Sequence, residues 1–236
     1  MRNYFTFDGK NSSDFGLYIS GGKTWGSADR DIETVRIPGK NGDLHIDNNR
    51  YKNKPIEYKN SFLVGNFETA FPEMRDFFAL RGDTYYRLTD TYHPDEFRLA
   101  RYSGGLGDPK VRRLNRGGQF TIKFDCDPRR FLNSGDEYIS VNSSGTVTNP
   151  ASFPSLPLIE VTGSGTFTIN GTGITISSHS DPVTMLDFET ANAYYQDDNL
   201  NQYVTRFDGI TLNPGTNSIV LPAGMMLRIK GRWWTV

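Results

Sequence analysis

The side chains that most often carry catalysis or bind metals are few and scattered in this chain. The three histidines, His45, His93 and His179, each lack a neighbouring cysteine, glutamate or second histidine at metal-site spacing. A Ser-His-Asp triad is built from distant segments, so the sequence leaves it open, but the G-x-S-x-G elbow is absent. The sequence therefore predicts no zinc site, no catalytic residue and no cofactor-binding residue.

A partial calcium loop stands near residue 200. Asp197, Asn199, Asn201 and Asp208 follow part of the spacing of such a loop, and Asp208 takes the place of its terminal glutamate. The loop also needs glycine at its sixth position, where this chain has Gln202. A polar turn between strands is the favoured interpretation.

Sugar chemistry is a further possibility in the same part of the chain. Hydrolysis would need two carboxylates about 5 to 9.5 Å apart across a cleft, and the sequence cannot supply that separation. Binding without hydrolysis would need an exposed aromatic platform, for which Tyr194 or Tyr195 could serve, although a strand with one tyrosine inside and one outside is favoured. The carboxylates available for a pair are Asp187, Glu189, Asp197, Asp198 and Asp208.

Composition excludes several classes of partner. The 26 basic and 27 acidic residues give a formal net charge of -1, which disfavours strong binding to nucleic acid or to an anionic membrane. Cys126 is the single cysteine and cannot form an intrachain disulfide. No window approaches the roughly 20 consecutive apolar residues that span a bilayer. We therefore expect a soluble protein suited to a reducing compartment.

The elements that position these side chains are mostly short strands. Met74 and Phe78 recur at helical spacing in residues 69–82, which predicts one helix with Pro72 in its first turn and Gly82 at its C-cap. Residues 117–128 alternate with period two, which places four side chains on one buried face. Those four are Phe120, Ile122, Phe124 and Cys126.

Asn48-Asn49 predicts a tight hairpin turn after Leu44 and Ile46, because asparagine tolerates positive φ. Beyond residue 133 the sequence pattern changes to that of short strands spaced roughly ten residues apart, which is typical of a sandwich or jelly roll. The sequence therefore predicts two all-β domains, residues 1–133 and 134–236. The predicted strands of the second are EYISV, PLIEVTG, GTFTING, GITIS, VTMLDFE, QYVTRF, NSIVLP and MMLRIKGRWW.

Two segments carry side chains beyond what the domain cores need. Met225, Leu227, Ile229 and Trp233 share one strand parity and can fill the second core, which leaves Trp234 and Val236 on the opposite face. We expect Trp234 to be covered by the first domain or by a neighbouring subunit. The glycine-rich stretch 103–118 reads as an exposed loop or arm, and its basic side chains are predicted to contact an acidic neighbour. They are Lys110, Arg112, Arg113 and Arg116.

Several stretches together resemble one family, the distal tail proteins (Dit) of long-tailed bacteriophages and related prophages. FTFDGKNSSDFGLYIS, DIETVRIPGKNGDLHIDNNRYKN and FTIKFDCDPRRF are similar to its first domain. NPASFPSLPLIEVTGSGTFTING, LDFETANAYY and GRWWTV are similar to its second, in the family's order. Gly231 departs from the pattern, since relatives commonly carry proline there.

The resemblance implies an all-β chain with one helix, made of an N-terminal belt domain and a C-terminal galectin-like sandwich. It implies a hexameric ring at the virion tail tip, which is assembled in the host cytoplasm. DNA would pass through this ring without sequence-specific contacts. The implied partners are other copies of the chain, the tail tube protein, the tail-tip or baseplate protein and a receptor-binding protein. It implies no enzyme activity, cofactor or membrane contact. The alternatives are a host-wall carbohydrate-binding module and, after it, a wall-degrading enzyme.

Overall fold

The computed structural model describes residues 2–21, 26–65, 67–104, 106, 110–111 and 117–236. Its contacts divide the chain into two compact units, residues 1–130 with Val236 and residues 131–235. The division lies beside residue 133, where the sequence places the domain boundary. Apart from short 3-10 turns and one α-helix, the regular structure is strand throughout the described residues, so the prediction of an all-β fold with one helix is confirmed.

The first unit is built on one antiparallel sheet. Its strands follow the order β2-β1-β7-β8-β10-β6-β3, and β9 also pairs with β10. The elements of this unit are β1 (Phe5–Phe7), β2 (Lys10–Asn11), β3 (Leu17–Tyr18), β4 (Arg30–Val35), β5 (Leu44–Tyr51), β6 (Lys54–Val64), α1 (Phe67–Ala79), β7 (Tyr86–Asp90), β8 (His93–Tyr102), β9 (Lys110–Val111) and β10 (Gly117–Cys126).

Strand β10 buries the face that its alternation predicts. Phe120, Ile122, Phe124 and Cys126 are all buried, and their neighbours along the strand are more exposed. The ring of Phe124 lies 4.9 Å from that of Phe7. Such aromatic contacts bury large areas, and the rings of this core adopt stacked, tilted and edge arrangements.

Helix α1 covers this core with Met74 and Phe78, which are 0% and 1% exposed. The helix exists as predicted, but it begins at Phe67 and ends at Ala79. Pro72 therefore lies in its second turn, where it cannot donate the hydrogen bond that an interior residue gives to the carbonyl four residues earlier. The expected placement of Pro72 in the first turn is wrong, and Gly82 lies beyond the helix end.

Strands β4 and β5 form a separate two-stranded sheet. The prediction of a turn at Asn48-Asn49 is wrong, because β5 runs unbroken through both residues and the connection spans residues 36–43. Asn49 does have a positive φ, 55°. It lies at a bulge, where the register shifts between Arg30 and Ile32.

The second unit is a sandwich of two antiparallel sheets, ordered β12-β21-β14-β17-β18-β19 and β13-β20-β15-β16. Its core contains Leu227, Ile229 and Trp233, as their parity predicts. The strands of the two sheets are β12 (Tyr138–Val141), β13 (Gly145–Asn149), β14 (Leu158–Thr162), β15 (Gly165–Ile169), β16 (Thr172–Ile176), β17 (Thr184–Asp187), β18 (Asn192–Tyr195), β19 (Asp198–Asn199), β20 (Gly215–Val220) and β21 (Met226–Lys230). Outside these sheets, β11 (Arg130–Leu132) pairs with β22 (Trp234–Thr235).

Three strand predictions for this unit need correction. The segment QYVTRF is not a strand: Tyr203 ends a 3-10 turn, and Val204 makes an isolated bridge to Ile176. Strand β13 was not predicted, because its residues GTVTN offer only Val147 as an apolar signal. The predicted strand MMLRIKGRWW is interrupted, because β21 ends at Lys230 and β22 begins only at Trp234. The other predicted strands coincide with strands of the two sheets.

Candidate functional site

The histidines lie in three different surroundings. His45 Nδ1 is 3.2 Å from Thr34 Oγ1, and His93 Nδ1 is 3.2 Å from Asp90 Oδ1. Among the described residues, no three His, Cys, Asp or Glu side chains are grouped so that they could hold a metal ion. In the partial calcium loop, Asn199 Oδ1 accepts from the backbone N of Asn201, and Asn201 Oδ1 accepts from the backbone N of Ala193.

His179 has the surroundings closest to a catalytic arrangement. Its Nε2 is 2.7 Å from Thr184 Oγ1, and its Nδ1 is 3.2 Å from the backbone N of Asp181, which donates to it. They line a cavity of about 140 Å³. Thr184 is only 1% exposed, so its hydroxyl is not available to a substrate, and the histidine acts as a bridge within the sandwich.

Two of the carboxylates considered for glycoside hydrolysis, Asp187 and Asp208, are engaged in local ion pairs. Asp187 accepts two hydrogen bonds from Arg232, at 2.7 and 3.0 Å, and one from the backbone N of Glu189. Asp208 pairs with Arg206 at 3.0 Å. Tyr195 packs against the sandwich core, and Tyr194 beside it is half-buried.

A larger cavity, about 430 Å³, lies in the first unit and is lined in part by Lys54, Tyr58 and Tyr92. Its one carboxylate is Glu57, which is 3.0 Å from Lys123 Nζ. A single carboxylate already paired with a lysine does not provide the acid and base of a hydrolytic site. Among the described helices, none is long and apolar enough to cross a membrane.

The hairpin of β4 and β5 is the most unusual surface of the first unit. None of its strand residues is buried, and Leu44 and Ile46 are 43% and 44% exposed. A hairpin of two strands is marginally stable in water without a hydrophobic face packed on something else. Leu44 and Ile46 therefore form an apolar surface that is exposed on this hairpin.

Register separates the two faces of this hairpin. Val35 pairs with Leu44 and Glu33 pairs with Ile46, so these four side chains share one face. We call Val35, Leu44 and Ile46 the apolar face. If a contact buried the parts of Leu44 and Ile46 that are now exposed to water, each side chain would stabilise that contact by about 1 kcal/mol.

The opposite face of the hairpin is mostly polar, but it includes Ile32, which pairs with Asp47 and is 44% exposed. Arg30 Nη2 is 2.8 Å from Asp47 Oδ2, and the hydrogen bond from Arg30 lowers the pKa of Asp47. Asp31 alternates with Arg30 and Ile32, so it lies on the side of Glu33 and Val35, where a hydrogen bond from Arg50 lowers its pKa with the two atoms 2.7 Å apart. Exposed ion pairs add little stability, and the cluster of Val35, Leu44 and Ile46 is the part of the hairpin suited to burial.

The interface residues predicted at the chain's end lie on and beside β22. Trp234 stacks on Phe153 with ring centroids 4.4 Å apart, and its Nε1 donates to the carbonyl oxygen of Pro154 at 3.0 Å. Both Trp234 and Val236 are half-buried. A role for either residue in binding a partner stays a prediction.

Of the four basic residues predicted in the arm, Lys110 is exposed and begins β9, opposite Gln119 of β10. Arg112, Arg113 and Arg116 lie outside the described residues. The apolar face was missed by the sequence reasoning because a turn was placed at Asn48-Asn49. The sequence did contain a signal for it. Val35 in β4, and Leu44 and Ile46 in β5, each stand between polar residues, as apolar side chains on one face of a strand do.

Comparison with models of protein families finds no match, and no curated protein matches the sequence. Solved structures match the fold. The crystal structure of the SPP1 Dit protein, described as a paradigm of the hub adsorption apparatus in phages that infect Gram-positive bacteria, has a TM-score of 0.73. That match covers 100% of both chains at 14% identity.

Two further matches come from the phage P2 baseplate in its activated conformation. The structure with Ca has a TM-score of 0.56 and 9% identity, covering 97% of this chain and 98% of that one. The structure with Sr has a TM-score of 0.56 and 9% identity, covering 96% and 97%. The chain therefore has the fold of the SPP1 Dit protein along its whole length, and identities this low establish the fold alone.

Proposed function

We propose that the protein is a structural hub of a long-tailed phage or prophage tail tip, and that six copies form a ring. The exposed apolar face of the β4–β5 hairpin is the observation that carries this proposal. A side chain such as Leu44 or Ile46, left about half exposed on an unsupported hairpin, is stabilised when another chain covers it.

A surface that joins the subunits of a ring must fit a different surface of the neighbouring subunit. Subunits of a ring meet head to tail, so each contributes two different patches that fit each other. The apolar face supplies one patch, and the neighbouring copy supplies the other. The hairpin has four basic and four acidic residues between positions 30 and 51, so its net charge does not oppose contact between identical chains.

The partners follow from the hub role. One side of the ring docks on the tail tube protein, and the other docks on the tail-tip or baseplate protein and, through it, on a receptor-binding protein. The arm residues Lys110, Arg112, Arg113 and Arg116 contribute to assembly specificity more than to stability, since exposed ion pairs are individually weak. Similarity to a phage hub and to a phage baseplate supports this set of partners.

The role needs no chemistry of its own. The Thr184 hydroxyl that bonds to His179 is buried, and the larger cavity contains one lysine-paired carboxylate among its described lining residues. These arrangements support a non-enzymatic structural protein that uses no cofactor.

The hub role is tested by locating the protein in particles. Antibody raised against the purified chain, followed by gold labelling of phage particles, is expected to mark the distal end of the tail. Label along the tube or on the capsid, or none on intact tails, would contradict the proposal. Glycan binding that is lost in Tyr194→Ala, or hydrolysis of purified cell wall, would favour a wall-directed function instead.

A further inference from the structure

The chain contains two pairs of asparagine followed by glycine, and they lie in different kinds of turn. Asn41-Gly42 lies in the connection between β4 and β5, residues 36–43, and Asn170-Gly171 joins β15 to β16. Asparagine is a thermolabile residue, because its side-chain amide can react with the following backbone nitrogen. Glycine at the following position leaves that nitrogen uncrowded. The two pairs therefore share a sequence but differ in their surroundings.

The side chain of Asn41 is exposed and makes no hydrogen bond to any residue that the structure describes. Within the same described residues, the backbone N of Gly42 has no hydrogen-bond acceptor. Gly42 has a φ of 82°, and a Cβ built on it would meet nothing within 4 Å. The amide carbon of Asn41 and the nitrogen of Gly42 therefore have the freedom and the space to approach each other.

The side chain of Asn170, in contrast, is held by three hydrogen bonds. Its Nδ2 donates to Asn217 Oδ1 at 2.8 Å and to the carbonyl oxygen of Thr211 at 3.4 Å. Its Oδ1 accepts from the backbone N of Ser218 at 3.0 Å. Asn170 and Gly171 both have positive φ, 49° and 82°, as in the tight two-residue turn that such a pair favours. The amide of Asn170 therefore has to break these bonds before it can turn towards Gly171.

We propose that Asn41 is a site of spontaneous deamidation. The Gly42 nitrogen attacks Cγ of Asn41, so that a new C–N bond forms and the bond from Cγ to the amide nitrogen breaks. The amide nitrogen leaves as ammonia, taking up the proton that the Gly42 nitrogen gives up. Water then opens the resulting cyclic imide at either of its carbonyl carbons, which leaves aspartate or isoaspartate at residue 41.

The reaction changes the charge of the hairpin connection. Residues 36–43 contain two basic and one acidic side chain, so their formal charge is +1. The carboxylate gained at residue 41 brings this charge to zero. The isoaspartate product also lengthens the backbone by one carbon atom, because the chain then runs through the former side chain. Neither product returns to asparagine in water, so the modified form accumulates as the protein ages.

The fold decides which of the two pairs reacts. Two groups of one chain react only when they reach about 3 to 3.5 Å with the correct orientation, and a displacement of about 1 Å can slow a reaction about 100-fold. No described contact restrains Asn41, whereas three hydrogen bonds restrain Asn170. We therefore expect the native protein to convert Asn41 at least about tenfold faster than Asn170.

Peptide mapping of the full-length protein tests the proposal. The protein is incubated at mildly alkaline pH, both native and in guanidinium chloride, and samples are digested at intervals. Trypsin releases Asn41 in residues 41–50, and a protease that cuts after glutamate releases Asn170 in residues 161–189. Mass spectrometry with fragmentation measures the replacement of NH₂ by OH at each asparagine, and a sample digested before incubation gives the background.

In guanidinium chloride the two pairs are expected to convert at similar rates, because both asparagines precede glycine and no fold restrains them. Asn48 and Asn49 are exposed in the same tryptic peptide but are not followed by glycine, so they should stay unchanged. Asn41→Gln is the control variant, because its longer side chain forms the cyclic imide far more slowly. Ion-exchange chromatography should show an acidic species accumulating in the unmodified protein and not in Asn41→Gln.

A ring that covers the hairpin would slow the reaction, so the incubation is repeated with Leu44→Asp/Ile46→Asp. Conversion of Asn41 ahead of Asn170 in either native form supports the proposal, whether or not the ring assembles. An intact Asn41 in both native forms, over a time in which the denatured chain converts, would overturn it. Conversion of Asn170 as fast as Asn41, or faster, in the native protein would overturn it as well.

Discussion

The indole ring of Trp233 lies against the Cα of Gly231, so closely that a Cβ at residue 231 would fall 2.0 Å from Cζ2 of the ring. Gly135 approaches the same residue, because a Cβ there would lie 2.3 Å from the backbone N of Trp233. Trp233 is itself 2% exposed. The segment between β21 and β22 is therefore packed closely around Trp233, with Gly231 and Gly135 against it.

Gly231→Ala is expected to destabilise the second domain by at least about 2 kcal/mol, because the ring of Trp233 must leave its rotamer or the strand must move. Denaturant unfolding followed by tryptophan fluorescence measures this loss. Gly145→Ala is the control, since the nearest atom to a Cβ there is 3.8 Å away. Equal stability of the two variants would show that the Trp233 contact is not tight.

Asp187 and Arg232 give a second prediction, which concerns pH. Burial alone would raise the pKa of Asp187, but the hydrogen bonds and charge of Arg232, with backbone N–H bonds from Glu189 and Thr190, lower it below its ordinary value of 3.8. A lowered pKa in the folded state stabilises the fold above pH 3.8, and this stabilisation is lost as the pH falls through the folded-state value.

Asp187→Asn is therefore expected to cost about 2–4 kcal/mol near pH 7, because it leaves the Arg232 guanidinium without its carboxylate. The difference from the unmodified protein shrinks as the pH falls below 3.8. Urea unfolding at a series of pH values checks both statements. Asp208→Asn, which removes a pair whose carboxylate is 79% exposed, should change stability little. A difference for Asp187→Asn that is independent of pH would contradict the assignment.

Trp234 offers a third prediction. Trp234→Ala removes the stack on Phe153 and the hydrogen bond to Pro154, and should cost the second domain about 2 kcal/mol. Trp234→Phe keeps an aromatic ring over Phe153 and should lose less. Differential scanning calorimetry compares the two variants. If Trp234→Ala unfolds at the same temperature as the unmodified protein, the stack does not support the sandwich.

Cys126 gives a fourth prediction. Burial raises the pKa of its thiol to about 12, so the reactive thiolate is scarce at neutral pH. Iodoacetamide at pH 8 is expected to leave the native protein unlabelled and to label it fully in guanidinium chloride. Mass spectrometry counts the adducts. Rapid labelling of the native protein would show that the β10 face opens.

Hydrophobic alternation was sufficient to predict much of the fold. In β10 and β21 apolar side chains alternate with more polar ones, because one face of each strand is buried. This period of two residues, seen at Phe120 and Phe124 and at Leu227 and Ile229, is visible in the sequence itself. Helix α1 was likewise found from the spacing of Met74 and Phe78. Its start was misplaced because Pro72 is usual at a first turn.

Other features depended on information that a local pattern lacks. Asn49 has the positive φ that its residue type permits. Both a bulge and a tight turn use that conformation, so the residue type alone does not distinguish them. Pairing with β4 decides that Asn49 lies in a bulge. Strand β13 is held by β20 and contributes one buried valine, so its own residues predict little. Gly231 stood out in the sequence only as a departure from the pattern of similar proteins, and the structure shows that it leaves room for the Trp233 ring.

The central claim is that the apolar face of the β4–β5 hairpin joins copies of this chain. Native mass spectrometry of the purified protein, repeated with Leu44→Asp/Ile46→Asp, tests it most directly, with Thr34→Asp on the polar face as the control. The account predicts a complex of six 26.6 kDa chains, about 160 kDa, for the unmodified protein and for Thr34→Asp, and monomers for the double variant. An unmodified protein that is monomeric at every concentration, or a double variant that still forms the six-chain complex, would contradict it.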